Sequence, residues 1–161
     1  MKAVAQALTA IIDKVEPLLG QLSDAAATHK PAPGKWSKKE ILGHLIDSAG
    51  NNQQKFVRTI LADKTTEFVG YMQDDWVAAQ QYNLQDWSIL VATWAAYNRQ
   101  IAHIIKNVDA LKLDNSIFIE GQGPFTLAFL MTDYVEHLKH HLIQIIPTAG
   151  LSSAFSMTPY S

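Results

Sequence analysis

His137 and His141 stand four residues apart in the run Asp133-Tyr134-Val135-Glu136-His137-Leu138-Lys139-His140-His141, whose apolar residues recur with a helical period. On a helix this spacing stacks two imidazoles on one face, one turn apart, where both can grip one ion. His44, far upstream in a second helical pattern, supplies a third neutral nitrogen. Three imidazoles around a divalent transition ion leave coordination positions open. Open positions mean chemistry or ligand exchange, whereas closed four-ligand sites are structural. Zinc is the first expectation, since three protein ligands plus water is its usual catalytic arrangement; nickel, which imidazole also suits, is the alternative.

Helix phase, at about 100° per residue, sorts the histidines. The last apolar stripe centres on Leu127, Tyr134, Leu138 and Ile145, and His137 and His141 lie on its inner margin. His140 falls on the other side of His137, towards Asp133, Glu136 and Gln144, as a solvent-facing or supporting group. His44 sits at the margin of its own stripe, with Ser48 and Asn52 just inside it. An amide in an apolar stripe needs a hydrogen-bond partner, so Asn52 is expected to line a pocket on the open side of the ion. His103 lies opposite a buried face and His29 lies in a loop, and both are set aside. Asp47, Asp133, Glu136 and His140 are within helical reach of the ligands, as groups that orient them or move a proton. The plainer reading is that i, i+4 histidines are core-edge residues hydrogen-bonded to neighbours. Trp36, Trp76, Trp87 and Trp94 read as core or lid residues, and Asp74-Asp75 as a turn or helix start.

Four helical segments must position these residues. The first spans about 3–26, with Val4, Leu8, Ile11, Val15, Leu18 and Leu22 at helical steps, and Pro17 should kink or split it. A Pro/Gly-punctuated loop covers 29–34. Ser37 with Glu40 is a capping box that opens the second helix, which ends near 62. Tyr71, Trp76 and Tyr82 mark a short extra helix between 63 and 83. Asn83 with Asp86 caps the third helix, which buries Trp87, Leu90, Trp94, Ile101, Ile105 and Val108. Ile117-Phe118-Ile119 is an extended patch able to pair as a short strand, and Gly121-Gln122-Gly123-Pro124 is a turn. The fourth helix is expected over about 124–146, with Pro124 in its first turn and Pro147 ending it. An irregular tail follows from about 148. The sum is one all-α domain over 1–161, a four-helix bundle.

Composition bounds the function. The 161 residues are 48% hydrophobic and only 17% charged, below the roughly 25% of an average protein. With the aromatics of 71–82, this points to a homodimer that hides apolar surface. A formal net charge of −2 offers no basic field for nucleic acid and no polybasic patch for a membrane. Neither a run of about 18 apolar residues nor a signal-peptide plan is present, so a cytoplasmic location is expected. Cysteine is absent, which removes disulfides and thiolate nucleophiles; any thiol chemistry needs a thiol cosubstrate.

The pieces Lys35-Trp36-Ser37-Lys38-Lys39-Glu40-Ile41-Leu42-Gly43-His44-Leu45-Ile46-Asp47-Ser48, Asp74-Asp75-Trp76-Val77 and Asp133 through Ile145 resemble the DinB/YfiT-like superfamily. The resemblance keeps their order and spans nearly the whole chain. It implies an up-up-down-down four-helix bundle with a divalent metal on three histidines, which fall residue by residue on His44, His137 and His141. Members with known activity include thiol-dependent transferases and maleylpyruvate isomerase-like proteins. The expectation is therefore a metal-dependent enzyme acting on a small molecule. It would be a thiol-dependent transferase taking a low-molecular-weight thiol, or a hydrolase. The alternative is a non-catalytic metal-binding bundle, a stress-response binder or an oligomeric module.

Overall fold

Residues 1–156 are described in the computed structural model; positions 157–161, the end of the tail expected to be irregular, lie outside the described residues. Along the chain come α1 (Lys2–Gly20), α2 (Asp24–Thr28), α3 (Lys38–Leu61), β1 (Thr65–Phe68), α4 (Gln73–Gln80), α5 (Trp87–Asn107), β2 (Ser116–Ile119), β3 (Gln122–Thr126) and α6 (Leu127–Ile145). The four long helices enclose a core in which Leu8, Ile12, Leu42, Leu45, Phe56, Trp94, Ile101, Leu127 and Met131 are fully buried. One polar tie crosses it: the Tyr134 hydroxyl donates to Asn98 Oδ1 at 2.6 Å, satisfying two groups that burial would otherwise penalise.

Local chemistry sets the helix ends. The Ser37 backbone donates to Glu40 Oε2 at 2.7 Å while Ser37 Oγ accepts from the Glu40 N–H, so the expected capping box opens α3. Asp86 Oδ1 accepts from the N–H groups of Ser88 and Ile89 and caps α5. Asn83 does not share that task; its Oδ1 accepts from Ser37 Oγ and ties the start of α3 to the approach to α5. The first helix ends at Gly20 rather than near 26, and α2 restarts behind Ser23, whose Oγ accepts from the Ala26 N–H. Pro17 is tolerated inside α1 because it falls in the last turn, where only one backbone bond is lost.

Three corrections concern the second half of the chain and the topology. The molecule is not all-α: β1 pairs in parallel with β2, and β2 antiparallel with β3, in a three-stranded sheet. The extended patch at 117–119 is its central strand, with Ile117 fully buried. Glu120 and Gly121, both at positive φ, form the tight turn that matches the twist of the β2–β3 hairpin. Pro124 consequently lies in β3, and α6 starts later, capped by Thr126 Oγ1 accepting from the Phe129 N–H.

The helix directions also differ from an up-up-down-down bundle. Trp87 Nε1 donates to the Leu19 carbonyl, and Arg99 pairs with Glu16 and Asp13, so α5 runs antiparallel to α1. The α5 N-terminus meets Asp24, which pairs with Lys39, and Tyr97 donates to Gln53, so α3 and α5 are parallel. Lys38 at the start of α3 reaches the Ile145 carbonyl at the end of α6, so these two are antiparallel. The order is up-down-down-up. Its cause is the α3–α5 connection, which carries β1 and α4 back along the bundle instead of turning at one end.

That connection is seated by Gly43, where a Cβ would fall inside the Tyr82 ring. At Gly50, on the same helix, an added Cβ would meet only the edge of Tyr97, at ordinary contact distances of 3.4 Å and more. Gly43→Ala is expected to lower stability by about 1–3 kcal/mol through overpacking. Gly50→Ala should be neutral or raise stability by up to about 1 kcal/mol, through helix propensity. Urea denaturation of both variants checks the contrast.

Candidate metal centre

The antiparallel pairing of α3 and α6 brings His44 level with the one-turn pair His137 and His141. One ring nitrogen from each lies within 4.8 Å of the other two. His44 Nε2 and His137 Nε2 are 3.3 Å apart, the edge length of about 3.3 Å that a tetrahedral site with metal–nitrogen bonds near 2.05 Å requires. The ring centroids of His141 lie 4.7 Å from His44 and 4.6 Å from His137. All three expected ligands are therefore together.

Burial fixes their charge state. His44 is wholly buried; desolvation, with the nearby His141 adding to it, pushes its pKa down to about 3. His141 is held down to about 4 by desolvation first and His140 second, while Gln144 opposes. His137 lies well below its ordinary value, again through burial, with His141, His44, His140 and Lys55 contributing. Neutral imidazole is the ligating form. The buried Nδ1 atoms of His44 and His141 have no hydrogen-bond partner among the described residues, and each such orphan costs about 1–3 kcal/mol. Three neutral imidazoles whose donor nitrogens converge fit a divalent ion.

The surrounding groups come from several elements. Ser48 Oγ is 3.5 Å from His137 Nδ1, and Asn52 donates to Ser48 at both its carbonyl and Oγ, which is the partner the Asn52 amide needed. The Trp36 ring packs 5.2 Å from His44, and Phe155 stands edge-on to His137 at 5.0 Å. His140 is exposed, paired with Gln144 at 3.0 Å, and does not join the cluster. Glu136 turns away from the ion site. Its carbonyl accepts from Ser153 Oγ and its Oε2 from the Ala154 N–H, so it fastens the C-terminal segment that carries Phe155. Asp133 stands one turn before His137, where its charge acts on Lys55. His29 and His103 lie outside the cluster.

Asp47 is the most constrained acidic group. It is 5% exposed, and its Oδ1 accepts from Gln80 Nε2 at 2.6 Å and from the Tyr82 hydroxyl at 2.7 Å. Its Oδ2 is buried without a partner among the described residues. Desolvation raises its pKa, against the pull of Tyr82 and Gln80. Tyr71 is close enough for the Asp47 charge to push its own pKa up, after burial. Helical periodicity could not find Gln80, Tyr82, Tyr71 or Phe155, because they sit in short or irregular segments; the Tyr71–Tyr82 aromatics were the one available signal.

The family model described as the DinB superfamily matches residues 7–145. Among solved structures, YfiT from Bacillus subtilis, described as a probable metal-dependent hydrolase with an unusual four-helix bundle topology, superposes with a TM-score of 0.80. It is 17% identical, and the match covers 90% of this chain and 83% of that one, a likeness of fold. No curated protein matches significantly.

Two measurements test the centre. In a metal titration, His44→Ala and His141→Ala should each weaken binding severely, whereas His140→Ala should change it modestly; the reverse order for positions 140 and 141 would refute the ligand set. The depressed histidine pKa values also predict acid sensitivity of the metal-free protein. An unfolded histidine takes up its proton near 6.5, while folded His44 and His141 resist until about 3 and about 4. Their contribution is complete above about pH 6.5 and is lost as pH falls towards those values. Thermal melts in chelator should show Tm dropping on acidification from neutral pH, with a shallower slope in His44→Leu.

Proposed function

This chain belongs to the DinB superfamily, and on that footing we propose that it is a metal-dependent enzyme acting on a small molecule, with thiol transfer favoured over hydrolysis. The observation that carries the reading is the convergence of His44, His137 and His141 with no carboxylate or thiolate among them. A divalent ion on these nitrogens keeps its full charge, and would lower the pKa of a bound water or thiol towards neutrality. Zinc is the first choice and nickel the second.

The chain's own residues supply the rest. His44, His137 and His141 hold the ion in their neutral forms, and Ser48 contacts the far nitrogen of His137, orienting its ring. Asp47 Oδ2, one turn beyond His44, is a buried acceptor with no partner among the described residues, and is the atom assigned to hold a proton. Trp36 and Phe155 shut water from two sides of the imidazoles. The absence of cysteine means that a thiol enters as the cosubstrate. Hydrolysis is kept as the second reading because YfiT carries that description.

Zinc- or nickel-loaded protein should couple a low-molecular-weight thiol to an electrophilic aryl halide faster than it cleaves a nitrophenyl ester. Loss of a supporting residue in metal sites costs about 10–100-fold, so His44→Ala should exceed that upper figure. Ester cleavage alone would select the hydrolase. Tight metal binding with neither activity would select the non-catalytic bundle.

A further inference from the structure

Lys55 lies eleven residues after His44 on α3, three turns and about 16 Å along the axis, and about 20° from it in helix phase. The face between them carries Ser48, Asn51 and Asn52. On the antiparallel α6, the row His141, His137, Asp133 descends towards the same end. The two helices thus line up a polar strip with the imidazole cluster at one end and an ammonium at the other. The Lys55 charge is felt at His137, so the two ends share one electrostatic environment.

The state of Lys55 is unusual for a lysine. Long ammonium side chains normally extend to water over their methylene stems. Lys55 is instead half-buried, its Nζ lies 5.3 Å from the centroid of the Phe68 ring, and among the described residues no carboxylate comes within the 4 Å of an ion pair. Asp133 and Glu120 act on it from farther away and only partly offset the desolvation that lowers its pKa. A desolvated ammonium without a close counter-ion is costly, and an incoming anion would relieve it.

Resting on the proposed function, we infer that Lys55 is a ligand-binding residue that holds the carboxylate of the small molecule whose other end meets the three-histidine centre. The nearby Asp133 and Glu120 favour a singly charged carboxylate over a dianionic phosphate, because like-charge repulsion grows with the ligand's charge. The substrate class is therefore an acid with its reactive atom separated from its carboxylate by a chain or ring that spans the strip.

Cobalt(II)-loaded protein provides a test independent of turnover. Mercaptocarboxylates of graded chain length and the matching mercaptoalcohols are titrated while the sulfur-to-cobalt absorption band is followed. At the best length the carboxylate should bind about tenfold more tightly. Lys55→Met should erase that preference while cobalt stays bound, and Lys55→Arg should keep part of it. Equal binding of acids and alcohols at every length, or a preference that survives in Lys55→Met, overturns the inference while leaving the metal–thiol reading intact. If no thiol produces the band, the thiol reading fails by itself. The same acid–alcohol comparison is then made with alkyl hydroxamates, which reach cobalt through oxygen. A carboxylate preference lost in Lys55→Met upholds the assignment, and its absence ends it. If Lys55→Met does not fold, the acid–alcohol difference in the unaltered protein decides.

Discussion

Three imidazoles can crowd into a largely desolvated site only if all of them stay uncharged, and the rest of the structure is arranged around that condition. Protonating one beside the other two would place a charge in a region that has lost most of its water. Exclusion of water is achieved by apolar helix faces, by the Trp36 ring against His44 and by Phe155 against His137. The same exclusion turns the cluster into a strong ligand set, because no proton competes for the nitrogens at neutral pH. What makes the cluster awkward as a core makes it useful as a centre.

The cradle of Asp47 shows how much of the chain serves one carboxylate. A bare Gly43 lets the Tyr82 ring lie against α3, and the left-handed Gln81 at the end of α4 turns the chain so that Gln80 and Tyr82 both reach Oδ1. One oxygen is fully engaged and the other has no partner among the described residues. This asymmetry fixes the orientation of the group while leaving an acceptor for chemistry.

The histidine cluster was legible because helical phase is a local property: positions 44, 137 and 141 are placed by residues within a turn or two of each. The capping boundary at Ser37 and the stop at Pro147 were legible for the same reason. The sheet was not, since its strands have only four or five residues, and β1 meets β2 across some fifty positions of sequence. Pro124 looked like a helix opener because proline suits both a first helical turn and an edge strand. Helix direction was opaque too. It depends on whether a connection turns back or travels the bundle, and periodicity within the helices carries no record of that. The groups around Asp47 come from the travelling connection and were missed with it.

The α3–α5 connection has a consequence for how such a molecule can change over time. It packs against α3, with Phe68 beside Lys55 and Tyr82 on Asp47, yet the four long helices, two of which carry the histidine cluster, pack largely against one another. Its own apolar residues are partly in the open, with Val69, Met72 and Trp76 exposed. Such segments tolerate substitution and insertion far better than packed helices. Ligand preference at such a site can therefore change through this short stretch, provided that Gln80 and Tyr82, which hold Asp47, are kept.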